Sequence, residues 1–556
     1  MINEQEMLYN ALSAHKAGDI KLARTMYEGI IDQSPENHEA EYFLGILCYE
    51  TGDKQAAIEH MEKAALINPN REYIEDLSRI LYESGEYSRS LEWIKKLSEP
   101  EIELLYKLGT AFGSMGEAQR AYECFEIVSK LLPDNPEVLY NLANSLKDMA
   151  KYQEGINYYN KALAVKPDFA VAWNNMGVCF TFLDKPDEAI KCFKNAVEFN
   201  NFFIEAYNNL GDRLRLKGEF QEAEYNYKKA LELNPESADA YCGLGFIYLQ
   251  QKYFEKGWKY YEYRFLSSNK TIKPFLPDFN KPVWDGNASL EGKTIYVYRE
   301  QAFGDAILFS RFLPVLSSLG AKIILKPYSP LKKLFENNKI ADIILAEEIN
   351  DADLEFDYWI PLMSLPYVLK INQSNMPGVN GFLKANPDKA KLYKEAYFNN
   401  DKFKIGICWH CKNTFLQDFH RSIPHVNSLQ RIFELDNARI YSLQKGAGEE
   451  QLSEIPYKIT NLAPIFNDFS DTAAAIENLD LIISVDTAVP LLAGALGKPV
   501  WILLEKNSDW KWFIDTEESL WFNNARLFRQ TETDNWEELL DRVITELKLL
   551  ILEKYK

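Results

Sequence analysis

The stretches AWNNMGVCFTFLDKPDEAIKCFKNAVEFNN (172–201) and AYNNLGDRLRLKGEFQEAEYNYKKALELNP (206–235) lay one pattern over itself at a spacing of 34 residues. Trp173, Tyr207 and Tyr241 hold an aromatic position, Gly177, Gly211 and Gly245 a close-packing position, and Ala162, Ala196 and Ala230 a small position in the second half. Outward from these stretches the turn residues keep the register, because Gly18, Gly52, Gly85, Gly116 and Gly218 recur at 34, 33, 31 and then three times 34 residues. A second ruler agrees: Pro35 and Pro69 are 34 apart, Pro133 and Pro167 are 34 apart, and Pro235 follows after another 68. Glycine lets the chain turn between two helices and proline cannot continue the second, so each period predicts one helical hairpin. The 64 residues from Pro69 to Pro133 hold one ordinary unit and one about four residues short, which predicts an irregular hairpin around 75–104.

This period and residue set resemble the tetratricopeptide repeat over residues 1–265, roughly eight units. Such an array is expected to form an all-α superhelix with a concave surface suited to binding more than to catalysis. Asn141, Asn175 and Asn209 fall 34 residues apart on the first helix of their units, where side-chain amides can each donate to and accept from an extended backbone. Protein O-GlcNAc transferases have a similar asparagine ladder, which in that family holds the acceptor peptide. The other reading is that these asparagines cap or fill their positions.

The helical period stops between Phe265 and Ile295, where TIKPFLPDFNKPVWDGNASLEGK (271–293) carries three prolines and two glycines, an ordered connector assigned to 266–290. IYVYR (295–299), KIILK (322–326), ADIIL (341–345) and DYWIP (357–361) then alternate with helical spacing and predict a parallel sheet in a first lobe, 291–385. KIGICWH (404–410), RIYSLQK (439–445), LDLIISVDT (479–487), PVWILL (499–504) and ARLFRQ (525–530) predict a second sheet in a lobe, 386–556, closed by an amphipathic C-terminal helix. The fold class is therefore α followed by α/β, with two Rossmann-like lobes and a cleft between them.

Ligands of parallel sheets bind at strand carboxyl ends, so the loops there carry the chemistry. In REQAFGDAILFSRFLP (299–314) Gly304 permits a tight turn and Asp305 sits at a helix start. Asp305 either caps free amides or, facing the cleft, takes a proton from an acceptor hydroxyl, with Glu300, Gln301 and Arg311 lining the same mouth. In ISVDTAVPLLAGALGKPVWILL (483–504) a strand delivers Asp486, Thr487 and Ala488 to the start of a small-residue helix, whose amides and dipole suit a nucleotide's phosphates. In CWHCKNTFLQDFHRSIP (408–424) Arg421 supplies positive charge, with His410 and His420 as secondary contacts, each set against a structural role. Gln444 and Lys445 of SLQKG (442–446) lie at the next strand end, placed to meet a base and ribose, whereas DWKW (509–512) reads as aromatic packing.

The loop around Gly304 and Asp305 resembles that of heptosyltransferases (glycosyltransferase family 9), in which that aspartate is assigned the base role. Residues 483–504 resemble the same signature, and more closely that of tetratricopeptide-linked bacterial relatives, roughly DTxVAHLAGALGKPVW. Where the family has histidine after the helix start, this chain has Pro490 and Leu491. The resemblance covers most of 280–535. It implies a GT-B fold and metal-independent transfer of a sugar from a nucleotide-sugar onto a protein acceptor, flagellin or another surface protein, presented by the repeats. Asp305 would be the base, Arg421 the charge compensator and the Asp486–Thr487 helix start the phosphate cradle, with no cofactor beyond the nucleotide-sugar. The missing histidine also allows an inactive, transferase-like scaffold for protein interaction.

The composition agrees with a folded chain of several domains: 556 residues, 47% hydrophobic and 26% charged. A net charge of −20 works against a long nucleic-acid interface, which needs clustered Lys and Arg. The absence of long apolar runs and the start MINEQEMLYNALSAHKAGD set the expectation of a cytoplasmic protein without a membrane span. Five of the seven cysteines fall in helical patterns as small buried groups, and the CWHC sequence (408–411) at a strand end reads as packing rather than as redox or metal chemistry.

Overall fold

A computed structural model of the chain describes residues 4–269, 273–277, 279–351, 354–412, 420–514 and 516–554. The chain divides into two compact units, Met1–Asn201 and Phe202–Lys556. In the first unit, helices Glu4–Lys16, Ile20–Gln33, His38–Glu50, Lys54–Ile67, Arg71–Glu83, Tyr87–Ile94, Ile102–Ser114, Ala118–Leu131, Pro136–Asp148, Tyr152–Val165, Ala170–Phe182 and Pro186–Phe199 pair consecutively into six hairpins. The second unit opens with two more, Ile204–Lys217 with Phe220–Leu233 and Ala238–Gln250 with Phe254–Tyr261.

The repeat residues act as their chemistry predicts. Gly18, Gly52, Gly85, Gly116 and Gly218 turn the hairpins at φ between 78° and 85°, and where a repeat lacks glycine, Ala150, Asp184 and Lys252 adopt the same left-handed conformation at 58°, 55° and 67°. A methyl on Gly177 would lie 2.7 Å from the Phe193 ring, and one on Gly211 would lie 2.7 Å from the Tyr227 ring, so these positions let the two helices of a hairpin close. The irregular unit is the third, whose second helix, Tyr87–Ile94, has 8 residues against 14 in every other second helix of the first unit.

Between Phe265 and Thr294 the described residues form no helix or strand beyond an isolated bridge from Val283 to Trp359. The first sheet holds β1 (Thr294–Tyr298), β2 (Lys322–Leu325), β3 (Ile343–Ile344) and β4 (Tyr358–Pro361) in the order β3-β2-β1-β4. The second holds β5 (Phe403–Cys408), β6 (Ala438–Ser442), β7 (Thr460–Asn461), β8 (Leu481–Val485), β9 (Val500–Leu504) and β10 (Ala525–Arg529) in the order β10-β9-β8-β5-β6-β7. Every pairing within these sheets is parallel. The two-residue β7 was not expected, because its Thr-Asn pair carries no apolar run.

The compact units divide at 201/202, inside the repeats, rather than at 265/266. The last hairpin explains the difference: Phe246, Leu249, Phe254, Trp258 and Tyr261 enter one hydrophobic core that continues through β1 and β2 of the first sheet into one face of the second. Trp258 Nε1 donates to the Ile371 carbonyl at 3.0 Å, and Gln250 Nε2 to the Ser508 carbonyl at 3.1 Å. The other face of the second sheet packs Ile405, Ile407, Ile483, Val485 and Leu503 against Leu540, Val543 and Leu547 of the C-terminal helix, Trp536–Lys554.

Candidate active site

In the second sheet the chain leaves β5 toward β6 and later returns on its other side at β8, so β5 and β8 flank a topological switch point. β5 delivers Cys408, Trp409, His410 and Cys411 there, and β8 delivers Asp486 and Thr487. Cys408 Sγ lies 3.7 Å from Thr487 Oγ1, and Cys411 Sγ donates to the Asp486 carbonyl at 3.4 Å. Both thiols are buried, and burial pushes Cys411 up to about 12, so this pair packs the switch point.

Thr487 caps the Ala488–Ala495 helix, its Oγ1 accepting from Val489 N–H at 3.3 Å. That hydroxyl organises the helix start, and Ala488 is half-buried in its first turn. The buried Asp486 carboxylate lies between two cations, with Oδ2 at 3.5 Å from Arg421 Nη1 and 3.8 Å from Lys511 Nζ.

In the first lobe, β1 leads into the Phe303–Phe309 helix, whose cap position is Ala302 rather than Asp305. Asp305 instead stands in the first turn, partly covered. Burial pushes its carboxyl up, the Lys511 ammonium pulls it down, and Asp509 and Asp486 push it up again, with a net upward direction. Lys511 is the hub of this cluster. Its Nζ lies 3.1 Å from Asp509 Oδ1, and although burial works against its charge, Asp486, Asp509 and Asp305 outweigh that and hold it protonated. At Asp509 burial is overridden by Lys511, which keeps the carboxyl below its usual range. The Lys511 ammonium, which meets Asp486 at 3.8 Å, thus also acts through its charge on Asp305 of the first lobe.

The lobes also touch at the backbone. A methyl on Gly304 would lie 2.9 Å from Leu491 Cδ1, and its nearest backbone neighbour across the contact is Ala488 Cα at 3.6 Å. Leu491, at the position where the resembled family carries histidine, is a buried packing residue of this contact.

Several expected ligand contacts are occupied within the protein. Glu300 is buried in a two-point ion pair with Arg264, Oε2 to Nε and Oε1 to Nη2 both at 3.0 Å, and also accepts from Met363 N–H at 3.0 Å, so it ties the last hairpin to the first sheet. Gln301, at φ 54°, donates from Nε2 to the Tyr261 hydroxyl at 3.0 Å. Arg311 leaves the mouth entirely: it is buried, donates to the Trp521 carbonyl at 2.8 Å and stands over the Phe522 ring at 4.6 Å. Gln444 uses both ends of its amide, accepting from Trp409 and His410 N–H at 3.0 Å and donating to the His410 and Ala447 carbonyls at 3.0 and 2.7 Å. That saturates its amide protons and leaves it shaping the loop rather than meeting a base. Lys445 donates to the Ala463 carbonyl at 3.1 Å and to that of Phe466. His410 Nδ1 lies 2.6 Å from the Cys411 carbonyl, and His420 Nδ1 lies 2.8 Å from Asp534 Oδ1.

Among the asparagines, Asn141 Nδ2 donates to the Tyr106 hydroxyl at 2.9 Å, and Asn175 Nδ2 to the Tyr140 hydroxyl at 3.1 Å and Asn144 Oδ1 at 2.9 Å. In the first unit their amide protons therefore link neighbouring repeats. Asn209, in the second unit, is half-buried.

Lys511, Asp509 and Glu505 were missed by the sequence reading. The signal was a lysine and an aspartate set among the tryptophans of DWKW, where Trp510 and Trp512 are indeed buried but bury the ion pair with them. Among the described residues no three His, Cys, Asp or Glu side chains are grouped to hold a metal ion. Two surface hollows lie away from the cluster, one of about 590 Å³ lined by residues including Glu224, Tyr248 and Tyr253, the other of about 360 Å³ beside Arg526 and Glu546.

Models of the tetratricopeptide repeat match residues 14–79, 136–169, 170–202 and 211–252, so the N-terminal region is built of these repeats. A curated relative, Protein FlbA of Caulobacter vibrioides (strain ATCC 19089 / CIP 103742 / CB 15), is 26% identical over 321 residues, 53% of this chain and 52% of that protein. The chain thus spans about half the length of the curated relative it matches. Among solved structures, that of MamA is 22% identical, covering 37% of this chain and 95% of that one with a TM-score of 0.24. YrrB, described as a TPR protein with an unusual peptide-binding site, is 16% identical, covering 38% of this chain and 95% of that one with a TM-score of 0.24. The C-terminal part of a TPR repeat-containing protein from Cytophaga hutchinsonii is 17% identical, covering 43% of this chain and 99% of that one with a TM-score of 0.31. No helix among the described residues is long and apolar enough to cross a membrane.

Proposed function

We propose that the chain is a cytoplasmic glycosyltransferase of the two-lobed GT-B type, moving a sugar from a nucleotide-sugar onto a hydroxyl of a protein held by the repeats. The observation that carries this reading is the close approach of Gly304 to Leu491 and Ala488, which sets the loop of Asp305 against the helix that follows the second sheet's switch point. A general base works best when its affinity for a proton is matched to the working pH, and burial together with two neighbouring carboxylates raises Asp305 toward that range. Leaving-group charge on a diphosphate would meet Arg421, Lys511 and the amides at the start of the Ala488–Ala495 helix. Repeats of this kind supply protein-binding surfaces, which fits a polypeptide acceptor.

A second reading, an inactive transferase-like scaffold, is favoured by two features. Leu491 fills the contact with Gly304 where the resembled enzymes place histidine, and Thr487 already caps its own helix. Mass analysis of an acceptor protein co-expressed with the chain separates the two. A sugar adduct that disappears in Asp305→Asn supports the transferase and its base. An adduct kept at full rate removes Asp305 from the mechanism, and the absence of any adduct, together with no thermal shift from any nucleotide-sugar, leaves the scaffold.

A further inference from the structure

Beyond the charged cluster, the carboxyl ends of β9 and β10 present a second set of polar groups that the reading above does not use. β9 and β10 run in register, Leu504 beside Arg529, and Gln530 N–H donates to the Leu504 carbonyl at 3.0 Å. Continuing that register sets Glu505 beside Gln530. Gln530 is 2% exposed, yet among the described residues neither Oε1 nor Nε2 has a hydrogen-bond partner. Glu505 is half-buried on the same edge and likewise forms no hydrogen bond among the described residues. Native proteins rarely leave both ends of a buried amide unmet, and such a group points to something that binds there.

The chemistry of the pair narrows the ligand. Burial pushes Glu505 up to about 8, with Arg421 and His420 pulling the other way, so at neutral pH it is a neutral acid able both to donate and to accept. Gln530 offers a donor and an acceptor and no charge. Neighbouring hydroxyls on a ring each donate and accept, which matches this pair and would leave none of its atoms unmet. A phosphate would meet Glu505 and Gln530 poorly, since it brings charge and only acceptors. The cation contacts go to Asp486, which Arg421 and Lys511 meet at 3.5 and 3.8 Å, while Arg421 acts on Glu505 only through its charge.

We propose that Glu505 and Gln530 form a hydroxyl-binding subsite for a neutral, polyhydroxylated ring, the ribose or the sugar of a nucleotide-sugar. The ring's carrier rests on the transferase reading; the subsite itself rests on the unmet amide and its neighbour.

The test measures thermal shift and titration calorimetry on the full chain with three kinds of probe: inorganic diphosphate, uridine and guanosine diphosphates, and the same two nucleotides carrying glucose. Gln530→Leu removes an unmet polar group, so it is expected to raise the melting temperature of the free protein while weakening ring-bearing probes about tenfold and sparing inorganic diphosphate. Glu505→Gln keeps a neutral hydrogen-bonding group and should stay within about twofold of the parent, whereas Glu505→Leu should lose about tenfold. A loss that first appears with the nucleoside diphosphates assigns the ribose, and one confined to the glucose-bearing probes assigns the sugar. If the parent binds these probes and Gln530→Leu lowers the melting temperature without changing any affinity, the amide is structural or meets only water, and the subsite is wrong while the transferase reading stands. If the parent binds neither these probes nor the adenosine, cytidine and thymidine nucleotide-sugars, the transferase reading falls, and with it the assignment of the subsite to a nucleotide-sugar's ring.

Discussion

Leu491 Cδ1 stands 2.9 Å from the place a Gly304 methyl would occupy, which makes the first-lobe loop and the second-lobe helix a fitted pair. Gly304→Ala forces that contact, and Leu491→Ala alone opens a cavity in a buried site, at about 2–4 kcal/mol. The two changes together let the added methyl fill part of the space. The double variant is therefore expected to be more stable than the sum of the singles predicts, by about 1 kcal/mol. Urea unfolding of the four proteins checks this, and simple additivity would mean that the two lobes do not meet at these residues.

Lys511→Met removes the ammonium that pairs with Asp486 and Asp509 and attracts Asp305, while leaving their carboxylates in place. Removing one partner from a buried ion cluster costs about 3–5 kcal/mol, so a large loss is expected at pH 7. The loss should shrink toward pH 4, because protonating the carboxylates relieves the repulsion that the lysine had offset. Melting curves of parent and variant across that range test it; a deficit independent of pH would make Lys511 a packing residue only.

Much of the architecture was legible because it is periodic. A 34-residue ruler kept by glycine and proline is set by turn geometry, and apolar β-branched runs announced the strands from Ile295 to Phe528, the two-residue β7 excepted, through burial on both sheet faces. The site was less legible, since which side chains meet depends on long-range packing. Gln444, placed at a strand end, turned inward to satisfy Trp409 and His410 amides, and Glu300 was claimed by Arg264 from the turn that follows the last repeat helix. Lys511 was hidden for the opposite reason: its tryptophan neighbours read as core, and they are core, but they bury a charge that Asp486 and Asp509 hold in place.

Glu505 ties stability to pH. Its carboxyl is raised from 4.5 to about 8 on folding, chiefly by burial, so between those values the unfolded chain has released a proton that the folded chain keeps. The stability this group contributes is thus complete below about pH 4.5, falls as pH rises toward 8, and is lost above it. Glu505→Gln has no proton to release, and the gap between variant and parent should widen in the variant's favour from pH 5 to pH 8. Denaturation midpoints at four or five pH values measure this, and parallel curves would mean that Glu505 is ionised in the folded protein.

The asparagine ladder can be tested as a structural device inside the first unit. Asn141 bonds the Tyr106 hydroxyl of the preceding repeat, while Asn175 bonds both Tyr140 and Asn144. At about 1 kcal/mol for each hydrogen bond, Asn175→Ala should cost more than Asn141→Ala. Tyr106→Phe removes the same bond as Asn141→Ala from its other end, so the pair of changes should cost little more than either alone, a coupling that independent effects would lack. If instead both asparagine variants unfold like the parent but bind an acceptor protein more weakly, the amides serve the groove rather than the stack of repeats, because their bonds to tyrosine would then contribute nothing to holding it together.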